Sequence, residues 1–152
     1  MTWQRGGSRI NELLAEGRLE HVSGAAANGL SLLASARGLL ESAQRESLEN
    51  PEAAFVLAYD SARKACAALL AQQGLRTRSA GHHVTTEAAV RAQFGGTFDE
   101  FGALRRRRSE IEYPRHPGEV VAVAEAADAI VAARAILDAS AVLIAQITIY
   151  KA

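Results

Sequence analysis

The stretch TFDEFGALRRRRSEIEYP, residues 97–114, carries the most strongly marked helix in the chain. Thr97 and Glu100 have the spacing of a capping box, in which each side chain accepts a hydrogen bond from a backbone N–H at the helix start. Pro114 marks the other end, because a proline disfavours helical backbone angles in the residue before it. The sequence therefore predicts a helix that is capped by Thr97 and ends at Tyr113.

One charged residue of this helix falls on its apolar stripe. Apolar side chains recur at the spacing of a buried helix face: Phe98, Phe101, Leu104 and Ile111. The stripe passes through Arg108, and burying a guanidinium costs free energy unless it is paired or hydrogen-bonded. Two interpretations stay open: Arg108 pairs with Glu112 one turn later and extends its head to solvent, or it lines a functional cleft.

The other arginines of the run, Arg105, Arg106 and Arg107, form a basic segment with it. Successive helical residues are rotated by about 100°, so the four guanidinium groups do not share one face. We expect at least one to approach the core or a partner chain and the others to face solvent, where they can contact phosphate groups. Glu110 and Glu112 partly neutralise the run.

The remaining segments predict an all-α fold, an antiparallel bundle of four principal helices plus short ones. Asn50 and Pro51 are a strong helix start, as N-cap and first helical residue, and Gly74 is a typical helix terminator. Tyr59 and Cys66 fall on the apolar stripe of that helix. The predicted helices span residues 9–16, 25–47, 51–73, 86–94, 98–113 and 119–150, and residues 75–84 are predicted to form a polar loop.

Composition narrows the class of protein. A length of 152 residues predicts a single domain, residues 1–152, and a hydrophobic fraction of 49% excludes a disordered chain. The formal net charge is zero, so attraction to a polyanion would be local. A single cysteine, Cys66, fits a reducing cytoplasm, and we expect neither a signal peptide nor a membrane-spanning helix.

The predicted polar loop is a second candidate for anion binding. Arg76, Arg78 and His83 can hold a phosphate there, or the loop is a solvated connector. The adjacent pair His82 and His83 lacks the spacing of zinc ligands. We therefore expect no metal site and no cofactor.

Taken together, AYDSARKACAALLAQQGLR at residues 58–76, GHH at 81–83 and LRRRRSEIEYP at 104–114 make the chain resemble the HEPN superfamily, and in particular a small bacterial branch of it. The resemblance covers about residues 50–150. It implies an all-α, usually dimeric protein. HEPN proteins are often metal-independent ribonucleases of toxin–antitoxin, phage-defence and RNA-processing systems, and others are non-catalytic binding modules.

The motif of that superfamily is an arginine, a polar residue, a few further residues and a histidine. On this chain Arg108 takes the arginine position, Ser109 the polar position, and Tyr113 stands where the histidine is expected. The resemblance implies catalytic roles for these three positions, but a tyrosine with a pKa of about 10 is a poor base at neutral pH. Residues five apart on a helix also point about 140° away from each other. The motif is therefore degenerate.

Two functions follow from the sequence. The first is a cytoplasmic HEPN-like homodimer that binds RNA or a nucleotide phosphate in an arginine-lined cleft, with ribonuclease activity that is weak or lost. The alternative is a non-catalytic helical module that binds a protein partner through its alanine-rich faces.

Overall fold

A computed structural model describes residues 3–78 and 81–152 of the chain. The fold is all-α, as predicted, with helices of unequal length and one two-stranded sheet among these residues. Ser79 and Ala80, within the predicted polar loop, lie outside the described residues. The elements are α1 (Gly7–Ala15), β1 (Leu19–His21), α2 (Leu30–Glu46), α3 (Pro51–Gln72), β2 (Leu75–Thr77), α4 (His82–Phe94), α5 (Glu100–Glu112) and α6 (Val123–Leu143), with short 3-10 turns at Gly24–Ala27 and Gly96–Asp99.

Helix α3 is the centre of the bundle and packs against α2, α6, α5 and α4. Its start is the predicted one: the side chain of Asn50 accepts a hydrogen bond from the backbone N–H of Ala53. Small residues let its neighbours approach closely, and a methyl group placed at Gly29 would lie 2.0 Å from the carbonyl oxygen of Ala68. Tyr59 and Cys66 are fully buried in α3, as predicted, and burial raises the pKa of the Cys66 thiol.

A short two-stranded antiparallel sheet, the β1–β2 sheet, takes in the first three residues of the predicted polar loop. Strand β1 pairs with β2 so that Glu20 lies opposite Arg76 and His21 opposite Leu75. Leu19 and Leu75 turn inward onto a small second core with Ile10, Leu13 and Leu70. The loop prediction was wrong here because each strand is three residues long, too short to show a period of two, and because the partner strand is distant in sequence.

The ends of three other helices differ from the prediction. The capping box at Thr97 was wrong: the positive φ angles of Gly95 and Gly96 turn the chain into a 3-10 turn that runs into α5, so Thr97 lies within a turn and its side chain caps nothing. Helix α4 begins at His82, ahead of the predicted cap. Residues 25–29 are a 3-10 turn and a break rather than the first turn of α2.

The last helix is shorter than predicted at both ends. Residues 119–122 precede it in non-helical conformation, and α6 ends at Leu143. After it, the chain leaves the helix and the backbone N–H of Tyr150 donates to the carbonyl of Gln73, while the Tyr150 hydroxyl reaches Asn11 at 2.7 Å. The β-branched residues Ile147, Thr148 and Ile149 favour this departure from the helix.

Candidate functional site

Helices α3, α4 and α5 enclose an open pocket of about 200 Å³. It brings together side chains that lie up to 53 positions apart in the chain, from Tyr59 to Glu112. Its lining consists of Tyr59, His83, Arg105, Arg108, Ser109 and Glu112. The pocket therefore contains two hydroxyls, an imidazole, two guanidinium groups and a carboxylate around one hollow.

Helix α5 supplies four of the lining residues because of their spacing. Arg108 and Ser109 lie three and four residues after Arg105, and Glu112 lies four and three residues after them, which places all four on one side of a helix. Phe101 and Leu104, one turn earlier, are buried in the core. The apolar stripe thus passes into a polar one along α5, and the pocket lies at the transition.

Arg108 combines the two interpretations that the sequence left open. Its side chain is 25% exposed, its NH1 group donates to the Glu112 carboxylate, and it lines the pocket. Its Nε is buried and has no hydrogen-bond partner among residues 3–78 and 81–152. An unsatisfied buried donor costs about 1–3 kcal/mol, so an acceptor bound here would gain from satisfying it.

Arg105 is held by a buried carboxylate. Its Nε donates to Glu87 of α4 at 2.6 Å, and Glu87 also lies 3.6 Å from Arg91 and 4.0 Å from Arg106. Gly102 leaves the room for this contact, since a methyl group there would lie 2.3 Å from a Glu87 carboxylate oxygen. The pair fixes α5 against α4 and sets the position of Arg105 at the pocket.

The floor of the pocket is a tyrosine–histidine pair. The Tyr59 hydroxyl and His83 Nδ1 are 2.5 Å apart, and the two rings stack with an interplanar angle of 12°. The ring of Phe101 lies 5.5 Å from Tyr59, also stacked. Burial raises the pKa of the Tyr59 hydroxyl, which therefore stays protonated at neutral pH.

His83 is neutral in this environment. Partial burial lowers its pKa to about 4, with further lowering by the nearby charges of His82, Arg63 and Arg108. Arg108 lines the same pocket as His83. A neutral imidazole can accept a proton, and the hydrogen bond at Nδ1 orients the ring.

The other candidate residues of α5 lie elsewhere. Tyr113, at the C-terminal end of α5, is 73% exposed and is not among the lining residues in the described part of the chain. Arg107 turns toward α6, where it donates to Glu125, and also lies 3.2 Å from Glu110. Arg106 is exposed beside Glu87. The pocket thus unites Arg108 and Ser109 but leaves Tyr113 outside.

Arg76 and Arg78 belong to a separate surface, at the β1–β2 sheet: Arg76 lies on β2 and Arg78 directly follows it. Both contact the Glu20 carboxylate, Arg76 at 2.6 Å and Arg78 at 3.4 Å. The hydrogen bond from Arg76 lowers the pKa of Glu20, as does the charge of Arg78. His83, predicted as part of the same anion site, lies instead in the pocket of α3, α4 and α5.

Sequence reasoning assigned no site role to Tyr59. Its place on the apolar stripe of α3 predicts a core residue, and it is one. A buried tyrosine hydroxyl needs a hydrogen-bond partner, and that requirement was the available signal. The partner, His83, is 24 residues away and could not be identified without the fold.

The described residues offer neither a cluster of metal ligands nor a membrane-spanning helix. Within residues 3–78 and 81–152, no three His, Cys, Asp or Glu side chains converge as ligands of a metal ion would. No helix in those ranges has both the length and the apolar character needed to cross a bilayer.

Comparisons with protein-family models, curated proteins and solved structures return no match. The case for a function therefore depends on the chemistry of the pocket.

Proposed function

We propose that the chain is a HEPN-like protein that binds RNA, or a nucleotide phosphate, in the pocket of α3, α4 and α5. The observation that carries the proposal is the state of Arg108: a partly exposed guanidinium at a pocket, with a buried Nε that lacks a partner in the described structure. Arginine is the side chain best suited to hold a phosphate by two parallel hydrogen bonds. Ser109 adds a hydroxyl donor on the same side of α5.

The surroundings of Arg108 support an anionic ligand over a cationic one. Arg105 adds a second positive charge, and the neutral His83 adds no negative charge that would oppose an anion. Glu112 is the one acidic residue among the lining side chains, and it competes for Arg108. A ligand with several acceptor oxygens can displace that single carboxylate and also engage Nε and Ser109.

The pocket size favours recognition of backbone over base. About 200 Å³ is below the roughly 300–1,000 Å³ of pockets that enclose drug-sized ligands. The Tyr59 ring, which lines the hollow, is fully buried and stacked on Phe101, so it is not a platform for a base. We therefore propose contact with a phosphate and its sugar, with little sequence preference.

In terms of the superfamily resemblance, the chain is proposed as a cytoplasmic member with a degenerate ribonuclease motif. Arg108 and Ser109 keep the arginine and polar positions. Tyr113 is a poor base and lies outside the pocket. A link to toxin–antitoxin or defence systems is part of the same proposal.

Binding of a labelled single-stranded RNA at several salt concentrations tests the proposal. Arg108→Gln should weaken affinity about 10-fold or more, as expected for a lost charge-assisted hydrogen bond. It should also reduce the slope of log affinity against log salt by about 0.7, the value for one phosphate contact on a single strand. Arg108→Lys separates charge from geometry, since it keeps the slope but loses bidentate bonding.

Arg37→Gln is the matched control. Arg37 is exposed on α2 and is not among the lining residues of the pocket, and its loss removes the same charge. Inorganic phosphate and a mononucleotide, used as competitors, distinguish a nucleotide site from an RNA site. Equal affinity and equal salt slope for Arg108→Gln and Arg37→Gln would refute phosphate binding at Arg108.

One observation favours the alternative, a non-catalytic interaction module. The outer face of α6 exposes Val131 and Val142, at 70% and 62%, along with the small residues Ala127 and Ala135 between and beside them. Exposed apolar surface of this kind is typical of protein contacts. Light scattering reads the mass directly: 16.1 kDa for a monomer and twice that for the proposed homodimer.

A further inference from the structure

A second pocket, of about 130 Å³, is formed by a different set of residues from those around Arg108. Its walls come from α2, α3, β2, α4 and the 3-10 turn at Gly24–Ala27. Most of its lining is apolar, with Leu32, Ala67, Leu70, Ala71 and Leu75 as the main members. This apolar pocket can therefore take the apolar part of a ligand out of water.

The packing of the two cores holds the walls of the apolar pocket in place. Leu70 and Leu75 are buried members of the second core, and Leu32 packs on the main core. Near them, the backbone N–H of Gly29 donates to the Gln72 side chain at 3.1 Å and fixes the start of α2 against α3. The walls therefore need little reorganisation when a ligand binds.

Small side chains set the room that the apolar pocket gives to a ligand. Ala67 and Ala71 line it one turn apart on α3, where longer side chains would fill much of the volume. Apolar protein cavities of about 150 Å³ bind benzene, and pockets that enclose drug-sized ligands start at roughly 300 Å³. The volume of about 130 Å³ thus fits a compact body close to the size of a benzene ring.

One charged side chain lines the apolar pocket. Arg76 is exposed, and its Nε and Nη2 both donate to the Oε1 oxygen of Glu20, at 2.8 and 2.6 Å. The two N–H groups of its Nη1 take no part in these bonds. Arg78 contacts the same carboxylate. Two guanidinium groups share one carboxylate here, so the three groups together keep one positive charge.

We infer that the apolar pocket binds a small apolar carboxylate, with its body in the hollow and its carboxylate at Arg76. The apolar lining would contact the body, and the positive rim would complement the charge. The site is separate from the proposed phosphate site at Arg108 and does not depend on it.

The lining favours a carboxylate over a phosphate at this rim. A carboxylate has two oxygens, and Nη1 of Arg76 and the Thr77 hydroxyl are the donors available to them. A phosphate carries further charged oxygens, for which the neighbouring apolar side chains have no donors. Thr86 adds little, because its hydroxyl already donates to the carbonyl of His82 at 2.8 Å.

Benzoate is the probe that tests the inference, and benzamide is its neutral analogue of the same shape. Benzoate should bind the full chain with a Kd in roughly the millimolar range. At about ten times that concentration it should raise Tm by about 3–6 °C. Benzamide should bind several-fold more weakly. Acetate, a carboxylate without the ring, should leave Tm nearly unchanged at the same concentration.

Backbone amide shifts in an NMR titration of the wild-type protein locate the bound benzoate. They should change at Leu70, Leu75 and Thr77, which line the apolar pocket. This measurement needs no substitution, so it tests the site even where a variant does not fold.

Variants of the wall test whether benzoate occupies the hollow. Ala71→Leu fills much of the apolar pocket and should weaken benzoate binding at least about tenfold. Ala127→Leu adds the same side chain at an exposed position on α6 and is the matched control. Ala67→Val, a smaller change in the same wall, should weaken benzoate binding in the same direction.

Variants of the rim test the carboxylate. Arg76→Gln should weaken benzoate binding about threefold or more and leave benzamide binding unchanged, as expected for an exposed charge contact. Arg78→Gln removes the same charge from a residue that contacts Glu20 but is not part of the described lining. It should weaken benzoate binding less than about twofold.

The outcomes separate this inference from the proposed function. Benzamide binding as tight as that of benzoate, or equal losses in Arg76→Gln and Arg78→Gln, overturns the assignment of a carboxylate. Benzoate that does not bind, or that binds Ala71→Leu as tightly as wild type, overturns the site itself. Benzoate binding that is lost in Arg108→Gln would place the anion in the other pocket and also overturn the inference. RNA affinity, measured with the same variants, tests the proposed function independently.

Discussion

Two regions of the molecule carry arginines that the sequence predicts to hold phosphate, and they present them differently. On β2, Arg76 is 63% exposed and meets Glu20 on the neighbouring strand β1. On α5, Arg105 and Arg108 are 25% exposed and stand against Tyr59, His83 and the buried Glu87. Both regions pair arginine with carboxylate, so the pairing alone does not distinguish them.

The difference lies in the groups behind the arginines. The arginines of the β1–β2 sheet are largely exposed to water, which screens their charge and competes for any ligand. On α5, Arg105 is fixed by its contact with Glu87 of α4 and the Arg108 side chain is only 25% exposed, so less reorganisation is needed when a ligand binds. We therefore expect substitutions on α5 to change both stability and RNA binding, and matching substitutions on β2 to change neither strongly.

The largest expected effect is on stability. Arg105→Ala removes the main partner of the buried Glu87 carboxylate and should lower the free energy of unfolding by about 2–4 kcal/mol, as for other broken buried pairs. Arg91 and Arg106 remain near Glu87 and keep the loss toward the lower end. Arg76→Ala is the matched variant on the β1–β2 sheet and should leave the urea midpoint nearly unchanged. Equal midpoints for both variants would show that the pairing of Arg105 with the buried Glu87 does not contribute to the free energy of unfolding.

The same contrast shows what the sequence could predict. The helix start at Asn50 and the buried face of α3 depend on neighbouring residues, and both predictions are confirmed. The position of Arg108 beside the core also follows from helical spacing. The pairing of Glu87 with Arg105 and of Tyr59 with His83 depends on how α3, α4 and α5 pack, and local patterns do not encode it.

Errors at the element boundaries have a related cause. Thr97 and Glu100 have the right chemistry for a cap, but the two preceding glycines start a 3-10 turn instead. The two strands of the β1–β2 sheet are too short to give a pattern in the sequence. They form because their pairing buries Leu19 and Leu75 in the second core. In both places the surroundings in space override the local signal.

The second prediction concerns ligand affinity in the two regions. The double variant Arg76→Gln, Arg78→Gln removes two charges at the β1–β2 sheet. It should lower RNA affinity less than about threefold near physiological salt, because separated surface charges are screened there. Arg108→Gln removes one charge and should lower affinity more, in fluorescence anisotropy with the same RNA. A larger loss of affinity in the Arg76→Gln, Arg78→Gln variant would show that RNA binds at β2 and not at α5.

A third prediction separates the regions by pH. The folded-state pKa of His83, about 4, lies below its ordinary value of 6.5, so the unfolded chain takes up the proton first. Stability should fall as pH drops from about 6.5 to about 4 and then level off for this group. The loss should be of the order of 1 kcal/mol after allowance for solvent screening.

Chemical unfolding of wild type and His83→Gln between pH 4 and pH 8 measures this loss of stability. The stability difference between the two proteins should change between pH 6.5 and 4 and stay constant above pH 6.5, because both are uncharged at that position there. Glu20, whose pKa is lowered, is expected to contribute only below its ordinary value of 4.5. A difference between wild type and His83→Gln that is independent of pH would mean that His83 titrates normally.

The smallest expected effect comes from the carboxylates that occupy the arginines. Glu112 must release Arg108 before a phosphate can take both of its bonding positions, and a partly exposed ion pair opposes this by at most about 1 kcal/mol. Glu112→Gln should therefore tighten RNA binding by about two- to fivefold. Glu20→Gln removes the same charge on strand β1 and controls for the general gain in attraction to a polyanion. Because both variants gain equally from net charge, the excess for Glu112→Gln measures the competition at Arg108, and an excess of zero in anisotropy titrations would mean that Arg108 does not hold the phosphate.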